Sequence, residues 1–240
     1  MHRLTDYSEA RWLEDQPGAR LYGGVCPVGY ASYTRIFHAI FEAPEPHHPG
    51  EGVNSRPLGL VTRPAGWTRT TWRDFCERQG LNFTMEMQKY GLEILTDLFS
   101  PWLMKTVGWP TWMQPPTEGS LDEESLRRLI DILLEACGDC QVVAYYCPTV
   151  MAHLDDLPTL FGGRLSEIWT LAHDVSTGGC SPQNWWPLDR SWVVYTDWDL
   201  TSTIIAATPK LSSELLVDDV LECYSVNGEA ASDPSSSAHR

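Results

Sequence analysis

Between Ser181 and Thr203 the chain reads SPQNWWPLDRSWVVYTDWDLTST, which sets four of its eleven tryptophans beside one arginine and three aspartates. Asp197 and Asp199 stand two apart, so on an extended backbone their carboxylates point the same way. There they could hold Mg²⁺ or Ca²⁺ together, or divide acid and base roles, with Thr201, Ser202 and Thr203 adding oxygen ligands. The same pair could instead close a turn by accepting from its own backbone amides. Trp185 and Trp186 offer stacking faces next to Asp189 and Arg190, whose guanidinium fork can grip a carboxylate or phosphate. Alternatively, Arg190 pairs with Asp189 and stacks on a tryptophan, pinning the start of a strand at Trp192. A third use of an exposed tryptophan pair is to anchor a protein interface.

Other chemistry-bearing residues are more isolated. Cys137-Gly-Asp-Cys140 has the C-x-x-C spacing of redox and zinc sites, but it closes a helix pattern with Gly138 as the cap, and no second such pair completes four ligands. The seven cysteines are an odd number scattered through apolar stretches, which predicts small buried hydrophobes in a reducing compartment rather than a disulfide framework. His153 and His173 stand alone, with no G-x-S-x-G or cysteine-histidine signature to supply a nucleophile. Arg35 and His38 fall on opposite faces of a regular strand and would not share a site. Gly162-Gly163-Arg164 and Gly178-Gly179 lie outside any phosphate-loop frame and read as turns.

These residues must be positioned by 240 residues of which 42% are hydrophobic, enough for a substantial core. The net charge is -15, and its distribution is uneven. Residues 1–80 carry nine basic and nine acidic side chains, residues 81–240 eight basic and twenty-three acidic. That field repels nucleic acid and anionic membrane and steers toward a basic partner or a cationic ligand; it also keeps a protein soluble. The acidic N-terminal residues do not read as a signal peptide, and no apolar run is long enough to span a bilayer. The expectation is a cytoplasmic protein with no cofactor and no metal.

Tyr30 to Glu42 alternates apolar and polar positions within a β-region from Gly18 to Ala43, placing Tyr33, Arg35 and Phe37 on one face and Thr34, Ile36 and His38 on the other. The proline-rich stretch from Ala43 to Gly66 reads as a loop. A helix is predicted to start at a Thr70 or Thr71 cap and stop at Gly80, and a second over Met85 to Phe99, followed by an aromatic, proline-rich connector. Ser120-Leu-Asp-Glu123 reads as a capping box opening a helix that buries Leu126, Leu129, Ile130, Leu133 and Leu134 and ends at Gly138. Strands are expected at Gln141–Cys147 and Leu165–His173. Trp192–Thr196 and Leu200–Ala206 form either a hairpin or one bent strand, and Leu211–Glu222 a last short helix. This irregular mixture predicts an α+β fold, a mostly antiparallel sheet packed against helices in two layers. Residues 1–17 read as an extension, 18–226 as one domain and 227–240 as a disordered tail.

The aromatic block resembles that of a family of uncharacterised, mostly actinobacterial proteins with the pattern P-N-x-W-W-P-x-D-R-x-W-x-V-x-T-x-x-D-x-x-[SW]-T. It stands here as Pro182-Gln-Asn-Trp-Trp-Pro187 and Asp189-Arg190-x-Trp192-x-Val194-x-Thr196-x-x-Asp199-x-x-Ser202-Thr203. Fainter echoes are Tyr33-Thr-Arg35-Ile-Phe-His38, Thr71-Trp72, Glu118-Gly-Ser-Leu and Leu160-Phe-Gly-Gly-Arg-Leu165. Ala39 stands where the family tends to have proline, and Asn184 is one place later than its usual asparagine. The resemblance implies a shared fold over most of residues 20–225 and marks Trp185, Trp186, Asp189, Arg190 and Asp199 as positions to test; no reaction is attached to it.

Two functions are consistent with these residues. One is an acidic binding protein of the immunity or inhibitor kind acting on a basic protein, suggested by the charge and the lack of a complete catalytic set. The other is a small-ligand binder or divalent-metal enzyme that uses Asp197 and Asp199, with Arg190 holding an anionic substrate.

Overall fold

In chain order the strands are β1 (His2–Arg3), β2 (Ser32–Phe37), β3 (Ile40–Glu42), β4 (Thr68–Thr70), β5 (Met113–Gln114), β6 (Gln141–Tyr146), β7 (Thr159–Arg164), β8 (Asn184–Pro187), β9 (Val193–Tyr195), β10 (Ser202–Ala207) and β11 (Cys223–Val226). Among the described residues the helices are α1 (Arg11–Glu14), α2 (Trp72–Arg78), α3 (Glu123–Cys137), α4 (Ile168–Ala172) and α5 (Pro209–Leu216). The structure is a computed structural model that describes residues 1–16, 26–44, 59–78, 80, 82–83, 112–147, 158–197 and 201–226. The second helical pattern, most of the connector after it, the tip of the proline-rich loop, His153, Asp199 and the tail from 227 lie outside the described residues.

Eight strands form one sheet in the order β1-β7-β6-β8-β9-β10-β2-β11, and three form a smaller one in the order β4-β3-β5. Every described pairing is antiparallel. The fold is thus α+β with a large antiparallel sheet. β9 and β10 form a hairpin, with Tyr195 opposite Ile204 and Val193 opposite Ala206.

Strand alternation divides the core. On one face Ile36, Val142, Ala144, Tyr146, Trp185, Val194 and Ile205 pack against Leu126, Leu129, Ile130 and Leu133 of α3, with α4 and α5 beside it. On the other, Val143, Tyr145, Trp186 and Val193 pack against Ala10 and Leu13. Of residues 1–17, which read as an extension, the described residues 1–16 therefore contribute an edge strand and a buried cover for the sheet. Beside the main core, α2 and the small sheet close a further cluster around Phe37, Ile40, Trp72, Phe75 and Met113.

Four further sequence expectations change. The helix α3 is capped by Asp122, not Ser120: the Asp122 carboxylate accepts from the Ser125 amide at 3.1 Å and its hydroxyl at 2.6 Å. Leu165–His173 is a 3₁₀ turn and α4 instead of a strand, because Leu165, Ile168, Leu171 and Ala172 bury themselves at helical spacing. Gly162, Gly163 and Arg164 belong to β7 and not to a turn; a Cβ on Gly163 would fall 2.9 Å from Met1 Cγ and 3.1 Å from Met1 Cα, so the N-terminal segment lies close against a bare backbone there. The last helix opens at the Thr208 cap and Pro209 and stops at Leu216, freeing Cys223–Val226 to pair with β2.

Candidate functional site

Asn184–Pro187 is a central strand, and its alternation sends the two neighbouring tryptophans to opposite faces of the sheet. Trp185 meets Trp192 edge to face at 5.5 Å in the helix-side core, and Trp186 meets Trp12 in the same manner at 5.4 Å on the other side. Their exposures are 1% and 0%, so neither offers a stacking surface to a ligand or a partner. Pairs of this kind add roughly 0.5–1.5 kcal/mol beyond the area they bury.

Asp189 and Arg190 occupy the exposed turn from β8 to β9. The Asp189 carboxylate accepts from the Ser191 amide at 3.0 Å, and the Arg190 amide donates to the Pro187 carbonyl at 2.8 Å. Arg190 has φ 55, and its guanidinium lies 4.8 Å over the Trp12 ring. The Tyr30 hydroxyl donates to the Arg190 carbonyl at 2.8 Å. Stacking on a tryptophan is thus the arrangement adopted, with the ring supplied by the N-terminal segment.

Asp197 lies beyond the far end of β9, where its carboxylate accepts from the Tyr195 hydroxyl at 2.7 Å. Arg190 precedes β9 and Asp197 follows it, so the strand sets the two at its opposite ends. The structure does not bring them into one pocket. Among the described residues, no group of three or more histidine, cysteine, aspartate or glutamate side chains is placed to hold a metal ion.

What the fold does assemble is a buried polar seam that sequence order conceals. His38 is fully buried; its Nδ1 lies 2.6 Å from the Thr117 carbonyl and its Nε2 3.0 Å from Thr203 Oγ1. A carbonyl only accepts, so Nδ1 carries the proton and Nε2 accepts from the Thr203 hydroxyl. Thr203 in turn is 2.8 Å from Thr196 Oγ1. Burial, only partly offset by the Thr117 bond and the charge of Asp122, lowers the imidazole to about 4, so it is neutral at physiological pH. Hydroxyl, imidazole and carbonyl in sequence resemble a nucleophile with its base and orienting group, but Thr203 and His38 are both sealed at 0% exposure. The seam fixes packing and has no route to a substrate. The inward register of His38 was the only sequence signal for it, because Thr117 and Thr203 lie 79 and 165 residues away.

A second long-range polar contact ties the two sheets. The Glu222 carboxylate, just before β11, accepts from the amides of Trp72 and Arg73 at 2.5 and 2.8 Å, capping α2 alongside Thr71. Burial raises the Glu222 pKa, against the opposing pull of those two amides and of Arg73 and Arg69.

The outward face of the helix layer is acidic. Glu124, Asp131 and Glu135 on α3, Glu214 on α5 and Asp219 just beyond it are exposed. The basic side chains beside them are engaged: Arg127 lies 4.0 Å over the Trp169 ring, Arg128 donates to Asp218 at 2.7 Å and lies 4.0 Å from Glu135, Arg63 is 3.9 Å from Glu124, and Lys210 is 3.9 Å from Glu214. His173 reaches Glu123 at 2.9 Å; with Thr62 and Arg127 it holds that carboxyl below its ordinary value, although burial, the largest influence, works the other way.

Comparison with family models, curated proteins and solved structures finds no match in any of the three. Fold and surface together define an α+β protein whose eight-stranded antiparallel sheet carries a helix layer with an acidic outer face. No helix among the described residues is long and apolar enough to cross a membrane.

Proposed function

We propose that the chain is an acidic binding protein of the immunity or inhibitor type, acting in the cytoplasm and engaging a basic protein partner through the outer face of α3 and α5. The observation that carries this reading is an excess of carboxylates on this face: Asp131 and Asp219 are exposed with no ion pair among the described residues, and Glu124 and Glu135 are exposed and reach Arg63 and Arg128 only at 3.9 and 4.0 Å. Carboxylates so arranged project a negative potential that rigid helices hold in register, which favours fast, salt-sensitive association with a basic surface. The burial of Trp185 and Trp186 moves the proposed contact from the aromatic block to this face.

The test is capture of partners by the tagged protein at low and high salt, alongside a variant carrying Glu124→Lys, Asp131→Lys and Glu135→Lys. The expected result is one basic protein, released by salt and not retained by the variant. Capture that is indifferent to salt and to charge reversal would refute the proposal, as would no capture at low salt. A melting curve of the variant that overlays the wild type keeps the comparison clear of unfolding.

A further inference from the structure

Cys137 and Cys140 are used by nothing described so far. Cys137 ends α3, and the chain then turns at Gly138, whose φ of 67 lies in the left-handed region that a side chain disfavours. That turn brings Cys140 back over the helix end and leaves the two sulfurs 2.7 Å apart. Both residues are free thiols and partly exposed, as is Cys223, whereas Cys26, Cys76, Cys147 and Cys180 are buried.

The short link between them is held from several sides. The Gly138 amide donates to the Leu134 carbonyl at 2.8 Å, and the Leu165 amide donates to the Cys140 carbonyl at 3.0 Å. The Asp139 carboxylate accepts from the Ser166 amide and hydroxyl at 2.9 and 3.1 Å, and Arg164 donates to the Asp139 carbonyl at 2.9 Å. The two thiols are therefore already ordered against each other, and little freedom remains to be lost when a bond forms between them. Bonded sulfurs stand about 2.05 Å apart, so closure requires well under 1 Å of further approach.

We propose that Cys137 and Cys140 form a redox-active dithiol site that exchanges with low-molecular-weight disulfides. Cys137, as its thiolate, attacks one sulfur of the small disulfide; a mixed disulfide forms, and one small thiolate leaves and takes up a proton. Cys140 then gives its proton to solvent and attacks Sγ of Cys137. The Sγ–Sγ bond forms, the mixed bond breaks, and the second small thiol departs protonated. The protein dithiol loses two electrons and two protons, and the small disulfide gains both. Burial, and then its contact with Cys137, push the Cys140 thiol up to about 12, so it is not the group that attacks first.

The experiment exposes the folded full chain to oxidised glutathione, quenches with acid, alkylates the remaining thiols and maps every cysteine by mass spectrometry. The expected result is joint loss of alkylation at Cys137 and Cys140, recovery of one disulfide within that peptide, and full reversal by dithiothreitol. Cys140→Ser should stop at the first step and retain glutathione on Cys137. The proposal is overturned if both thiols stay alkylatable, if glutathione spreads over several cysteines with no disulfide between these two, or if Cys140→Ser captures none on Cys137.

Discussion

Glu222 offers the sharpest test of how the two sheets are joined. Replacing it by alanine strips the carboxylate from the amides of Trp72 and Arg73, the first of which belongs to a residue only 1% exposed. A lost helix cap costs about 0.5–2 kcal/mol, and a buried donor left without an acceptor about 1–3 kcal/mol. Thr71 still caps the Asp74 amide, so Glu222→Ala should destabilise by about 2 kcal/mol rather than by the sum. Glu222→Gln keeps the shape and one acceptor oxygen and adds information through pH. Burial raises this carboxyl above its ordinary 4.5, so the folded protein binds the proton more tightly than the unfolded chain does. The resulting stability is complete below pH 4.5 and is lost as pH rises through the folded value. Glutamine does not titrate, so the wild-type advantage over Glu222→Gln should be largest in acid and shrink as pH rises. Other carboxylates, such as Asp6 and Asp174, whose pKa is lowered by bonds from nearby serines, titrate alike in both proteins and cancel. The assay is urea unfolding followed by tryptophan fluorescence from about pH 4 to about pH 8, with the difference in unfolding free energy plotted against pH. A difference that stays flat or widens with pH would refute the reasoning.

Trp186→Ala should cost about 3–5 kcal/mol in urea unfolding, because it empties a central-strand position that also meets Trp12 edge to face; a loss under about 1 kcal/mol would mean that the ring is not in the core. Arg190→Gly should unfold at higher urea than Arg190→Ala, since both lose the stack on Trp12 and only alanine keeps a side chain at φ 55; equal midpoints would argue against the left-handed turn. His38, lowered to about 4 against an ordinary 6.5, supports stability that is whole above pH 6.5 and falls as pH drops toward the folded value. Its ring resonances should therefore show neutral imidazole well below pH 6.5, and a titration midpoint near that value would contradict the burial described.

The local pattern of the chain was enough for its class and for several elements. The strand at Ser32–Phe37, the helix from Glu123 to Cys137 with its glycine stop, and the predominance of antiparallel pairing all follow from periodicity and turn chemistry, which act over a few residues. The aromatic block was legible as a special segment, but its use was not. Adjacent tryptophans read as one surface until the strand is known to be central, and a central strand buries both of its faces. Contacts that join distant segments were likewise beyond reach. His38 with Thr203, Glu222 with Trp72, Arg190 with Trp12 and Leu4 against Gly162 are each set by strand order, which no short window contains. Sequence alone determined which residues prefer to be inside, acidic or turning. Only the tertiary structure decided which of them meet, because burial of both sheet faces satisfies polar groups and fills gaps with whatever distant segment fits.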